Sequence, residues 1–201
     1  FEVNLGDTKI SGKTIILGLG TKTRELGVPG EEEFKAKGVS YCATCDGMFF
    51  KDKDVVIVGG ADSACKAAVY LGEICKKVTI VYRKDKLRGE AVYVKKINEK
   101  DNIDVVFNAN PVSIQGEGSV TGMTIKDNDG KESEIPVQGV FVEIGADPET
   151  KLAKDMGCEL DESGYAVTQP DMSTNVAGVY AIGDMRNTPL RQIVTAASDG
   201  A

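Results

Sequence analysis

Histidine is absent from this 201-residue chain. The side chain that titrates nearest neutral pH is missing, so acid–base work falls to other groups. Zinc sites also lose their usual nitrogen ligand, and no second C-x-x-C pair replaces it. There is no excess of basic residues. The formal net charge is −7 and the pI about 4.8, which argues against nucleic acid as the main partner. No apolar run approaches the ~18–20 residues needed to span a bilayer. No basic–apolar–small leader opens the chain, and no linker or low-complexity tract interrupts it. Cysteines are few: five, an odd number, and scattered. That usage fits one redox pair and three ordinary packing thiols in a reducing compartment. The expected location is cytoplasmic, with neither membrane nor nucleic acid as partner. The 41% hydrophobic content suffices for a core and for two domains.

Among the residues present, the segment Cys42-Ala43-Thr44-Cys45-Asp46-Gly47 carries the most information. Two thiols at this spacing can close a small disulfide ring and reopen it. One attacks as a thiolate and the other resolves. Asp46 is the nearest acid or base.

The pair precedes a complete strand–helix–strand–helix–strand pattern. Residues 54–58 form a short apolar run suited to a buried parallel strand. The glycines Gly59 and Gly60 turn the chain, and 62–74 reads as a helix with Ala64, Ala67, Ala68 and Leu71 on one face. A second strand is expected at 77–81, a helix at 89–100 and a third strand at 105–107. This is the dinucleotide-binding half-fold, with a right-handed parallel crossover. Residues 112–135 read as a small antiparallel excursion. Apolar runs at 14–17 and 140–144 each follow a hairpin-like stretch and end in glycine. The repetition suggests two similar nucleotide-binding modules, the first present only as its tail. Strand 178–182 ends in Gly183-Asp184, and 191–201 reads as a helix.

Three motifs bear on cofactor chemistry. Gly59-Gly60-Ala61-Asp62-Ser63-Ala64 approximates G-x-G-x-x-A, the turn that lets backbone approach a pyrophosphate at a helix N-terminus. Ala61 stands where the second glycine is wanted. The next strand ends in Tyr82-Arg83-Lys84, with Arg88 close behind and no leading acid. Cations there attract a 2′-phosphate, which favours NADP over NAD. Asp184, at a strand end, is a candidate for a cofactor hydroxyl or phosphate-linked contact.

Taken together, these stretches resemble the low-molecular-weight thioredoxin reductases along nearly the whole chain. The 42–47 segment is similar to that family's redox box and the 58–64 turn to its NADPH turn. Residues 82–88 are similar to its 2′-phosphate motif, with tyrosine for histidine and lysine for the second arginine. Gly183-Asp184 and Arg191-Gln192, followed by Ala196-Ala197, look like its C-terminal flavin motifs.

The resemblance implies an α/β protein of two Rossmann-like, three-layer nucleotide-binding domains. An NADPH domain at 23–149, complete and carrying the cysteines, is inserted into a split and partial FAD domain at 1–22 and 150–201. Gly145 belongs with the cofactor-binding residues, and with Leu19-Gly20 it marks the crossing strands about which the domains rotate. Cys45 is the implied flavin-facing thiol, Cys42 the interchange thiol and Asp46 the acid or base. Electrons run from NADPH through FAD to the disulfide, and on to thioredoxin or a similar protein. The intact protein is an implied homodimer. The family's first FAD strand has no counterpart here, so this chain is expected to bind FAD poorly and to be inactive alone. A peroxiredoxin-linked flavoprotein reductase, a relative fed by reduced deazaflavin or ferredoxin, and a non-enzymatic NADP-binding or redox-sensing module remain alternatives.

Overall fold

A computed structural model describes residues 1–201, the Leu5 side chain excepted. The chain divides into two compact units, Arg24–Gly145 and Phe1–Thr23 with Ala146–Ala201.

The Arg24–Gly145 unit is built on a five-stranded parallel sheet. Its order is Val39–Ser40, Gly139–Val142, Asp54–Val58, Lys77–Tyr82, Ile103–Phe107. The central strands read as continuous apolar runs because both faces are covered. Val55, Ile57, Val78, Ile80 and Phe141 point to one side. There they pack against Ala64, Ala67, Ala68 and Leu71 of helix Asp62–Leu71 and Ile97 of helix Ala91–Asn98. Val56, Val58, Val81, Val140 and Val142 point to the other side. They meet Ile114, Val120, Met123 and Ile125 of an antiparallel sheet formed by Ala109–Gly116, Val120–Asp127 and Glu132–Pro136. Helices, parallel sheet and antiparallel sheet give three layers, the α/β class read from the pattern.

Several boundaries differ from the sequence reading. The first helix stops at Leu71 and the second spans only Ala91–Asn98. At Gly89 a Cβ would press on Cys65, so the chain passes there as a close backbone contact, and Glu90 caps the helix that follows. The antiparallel excursion is larger than expected and begins directly after Asn108, at φ 56.

In the other unit, Ile15–Leu17 pairs in parallel with Val179–Ala181. Thr21–Thr23 pairs antiparallel with Ala146–Pro148, and Glu2–Leu5 with Thr8–Ser11 as a hairpin. Leu17, Ala153, Cys158, Ala166, Val179, Ala181 and Met185 form its core. Helix Lys151–Asp155 was not legible from periodicity. The last helix is Ile193–Asp199, because Gln192 is still extended at φ −146 and serves as its cap. Among the described residues, no helix is long and apolar enough to cross a membrane, and no cluster of acidic or cysteine side chains could hold a metal.

Candidate functional site

Cys42 and Cys45 are joined as a disulfide across the first turn of the short helix Ala43–Asp46. Cys42 is the N-cap, and its Sγ accepts the Cys45 N–H at 3.2 Å. Cys42 is half-buried and Cys45 exposed. The helix is seated by Ala43, buried in the helix-side core, and by Gly47, where a side chain would press on Tyr70 and Leu71. Ser40 closes the segment from below. It is buried, its hydroxyl donates to Asp46 Oδ2 at 2.6 Å, and it accepts the Cys42 N–H at 3.1 Å. Asp46 also lines a cavity of about 400 Å³ with Lys37, Lys53 and Phe49. The sequence reading found both cysteines and Asp46 but not Ser40, which lies outside the C-x-x-C spacing and is recognisable only as a strand end.

The glycine turn opens a second cleft in the same unit, about 480 Å³, at the carboxyl ends of the parallel strands. Gly59 has φ +140 and packs against the Glu143 carbonyl, and a Cβ on Gly60 would overlap the Tyr82 ring. Both positions therefore need glycine for packing. Ala61 and Ser63 line the cleft, as do Arg83, Arg88, Arg24 and Gly145. Arg88 is tied to the turn through its N–H, which donates to the Gly60 carbonyl at 2.7 Å.

Three residues of the motifs lie elsewhere. Lys84 does not line the cleft. Ala64 is fully buried under the sheet, and the Asp62 carboxylate accepts the Glu90 N–H at 2.7 Å. Arg24 and Glu143 are cleft residues the sequence reading missed, and Tyr82, read there as part of the 2′-phosphate motif, lines the cleft as well. Glu143 is half-buried, and desolvation pushes its carboxyl above the usual carboxylate range, against the opposing effect of the Ala43 N–H and the Ser63 hydroxyl beside it.

The other unit has its own cleft, about 430 Å³, lined by Gly18, Gly20, Gly183, Asp184, Arg191 and Gln192. All four C-terminal motif residues thus come together. A partly buried ion pair holds the Gly183 turn: Arg186 Nε donates to Asp199 Oδ2 at 2.6 Å and Nη2 to Oδ1 at 2.7 Å. The Gly183 N–H donates to the same carboxylate at 2.9 Å. Arg191 stacks 4.0 Å from the Tyr165 ring centroid, and Gln192 caps the last helix in a reciprocal capping box with Thr195.

The chemistry of these three sites is therefore a redox disulfide, a cationic glycine-turn cleft and a second glycine-lined cleft. The chain is 43% identical over 200 residues to a thioredoxin reductase of Listeria monocytogenes, covering 98% of this chain and 62% of that one. It is 42% identical to a thioredoxin reductase of Bacillus subtilis, covering 99% of this chain and 63% of the relative. The chain thus spans about three fifths of the length of these relatives. Among solved structures, Lactococcus lactis thioredoxin reductase in its FR conformation superposes with a TM-score of 0.82 at 36% identity, over 99% of this chain and 66% of that one. Residues 2–200 match the model of the pyridine nucleotide-disulphide oxidoreductases, and the chain belongs to that family.

Proposed function

We propose that this chain is the NADPH-binding and redox part, with a portion of the FAD-binding part, of a thioredoxin-disulfide reductase. The Arg24–Gly145 unit is assigned to NADPH and the remaining unit to FAD. The observation that carries the reading is the Cys42–Cys45 disulfide on the same unit as a glycine-turn cleft lined by arginines.

The residues fit the cofactors. The Gly59–Gly60 turn brings backbone close to the cleft, and Arg83 and Arg88 supply the guanidinium groups a 2′-phosphate requires. In the other unit, Gly18, Gly183, Asp184 and Arg191 suit the ribityl and phosphate portion of a flavin. When bound, NADPH would supply, by way of FAD, the two electrons needed to open the disulfide.

Cys45, the more exposed residue of the pair, is assigned to the flavin side, and Cys42 to attack on the partner disulfide. Asp46 holds or delivers the proton at the departing thiolate, and Ser40 fixes its carboxylate. The partner is thioredoxin or a protein like it. The intact protein is assigned as a cytoplasmic homodimer. The arginines in the cleft favour NADPH over reduced deazaflavin or ferredoxin as the donor.

The test uses the dithiol alone. The chain is reduced, freed of reductant and mixed with oxidised thioredoxin. One thioredoxin dithiol should appear per chain, and none with Cys42→Ser. No transfer from the wild type would overturn the assignment.

A further inference from the structure

The 480 Å³ cleft holds one acidic residue that phosphate recognition does not call for. Glu143 follows the strand Gly139–Val142, and its N–H donates to the Val58 carbonyl at 2.8 Å. Its own carbonyl lies against Gly59. Its side chain faces Ser63, in the first turn of helix Asp62–Leu71, and the Ala43 N–H at the start of the redox helix. The side chain thus lies beside groups on two different elements, on the lining of the cleft. The Asp62–Leu71 N-terminus is where the proposed function seats a pyrophosphate. A carboxylate placed there opposes a phosphate when ionised and tolerates it when protonated.

We infer that Glu143 is a specificity-determining residue that makes dinucleotide binding by this cleft pH-dependent, weakening it as Glu143 ionises. The inference rests on the dinucleotide reading of the cleft. Burial holds the Glu143 carboxyl above the ordinary range, which moves its ionisation toward the working pH.

Other charged groups surround it on several elements. Arg24, Arg83 and Arg88 line the same cleft and contribute its cations. On the helix, Asp62 is engaged by the Glu90 N–H, and on the redox segment Asp46 is turned to Ser40. Glu143 is the acidic residue lining the cleft among the described residues. The sign follows directly. Raising pH through the Glu143 pKa adds a negative charge beside bound phosphate and lowers affinity.

ADP-ribose is the probe, because its pyrophosphate does not titrate near neutrality and it lacks the 2′-phosphate, which does. Titration calorimetry on the chain between pH 4.5 and 8.5 should show affinity falling by about tenfold for the wild type, the size expected of one added charge near the phosphate at intermediate dielectric. Glu143→Gln should bind tightly and evenly across the range. Wild-type binding should also take up protons, read from buffers of different ionisation enthalpy. A profile in Glu143→Gln as steep as the wild type's, or a flat or rising wild-type profile, overturns the inference. Should the variant not fold, the wild-type proton uptake decides: its absence overturns the inference. Failure of both ADP-ribose and NADP⁺ to bind either protein at any pH overturns the dinucleotide reading instead.

Discussion

The Ser40 hydroxyl donates to Asp46 Oδ2 at 2.6 Å while accepting the Cys42 N–H at 3.1 Å. One buried side chain thereby couples the proposed acid to the backbone of the redox pair. Hydrogen bonds to a charged group contribute about 1.5–3 kcal/mol. Ser40→Ala should destabilise the chain by roughly that amount in urea titration. Dithiol transfer to thioredoxin should also slow, with an altered pH profile. Unchanged transfer at every pH would show that Ser40 does not position Asp46.

Arg83 and Arg88 line the 480 Å³ cleft proposed for a dinucleotide, and Lys84 does not. Arg83→Ala and Arg88→Ala should each weaken NADP⁺ binding about tenfold to a hundredfold, the loss of a charge-assisted bond. NAD⁺ binding should hardly change. Lys84→Ala should leave both ligands within about threefold, as for an exposed charge. Equal losses for NADP⁺ and NAD⁺ would contradict a 2′-phosphate contact.

Three cysteines are free and buried: Cys65, Cys75 and Cys158. Burial pushes the Cys75 thiol up to about 11 and the Cys65 thiol above its ordinary value. After mild reduction at pH 8, a thiol reagent should count two reactive groups in the native chain, and five in denaturant. A third fast thiol in the native chain would point to a packing different from this one.

Asp199 accepts two bonds from Arg186 and one from the Gly183 N–H. The Arg186 guanidinium holds its carboxyl below the usual range. A depressed carboxylate contributes stability above its unfolded pKa, and the contribution is lost as pH falls through the folded value. Asp199→Asn should therefore lower the thermal midpoint at pH 7, with the difference shrinking toward pH 3. A gap that widens in acid would reverse the sign.

In the flavin-assigned unit, among the described residues, the parallel pairing within this chain is one short strand pair, Ile15–Leu17 with Val179–Ala181, and a single bridge between Ala166 and Arg186. The polypeptide of these 201 residues should accordingly purify with far less than one FAD per chain. Visible absorbance near the flavin bands checks this, and stoichiometric flavin would refute it.

Sequence and structure divide the protein along physical lines. The cysteine pair, the glycine turn and the parallel strands expected at 54–58, 77–81 and 105–107 were legible, because each rests on chemistry local in sequence, whereas the two-residue strand Val39–Ser40 was not. A disulfide ring depends on a three-residue spacing, and a strand buried on both faces on a continuous apolar run. The extent of the antiparallel layer was less legible. It pairs strands through hydrogen bonds to distant partners, and its face is set by what it covers.

The sites themselves were the part that only the tertiary structure decided. Ser40 and Glu143 sit at the ends of strands Val39–Ser40 and Gly139–Val142, which are neighbours in the sheet but about a hundred residues apart in the chain. No spacing rule links them to Cys42 or Gly59. Lys84 followed Arg83 in the motif, yet its neighbour reaches the cleft and it does not. The sequence by itself determined which chemistry is present, a dithiol with an adjacent acid and a cationic turn. Which side chains surround that chemistry was decided by the register of the parallel strands, because they bring residues remote in sequence to one edge of the sheet.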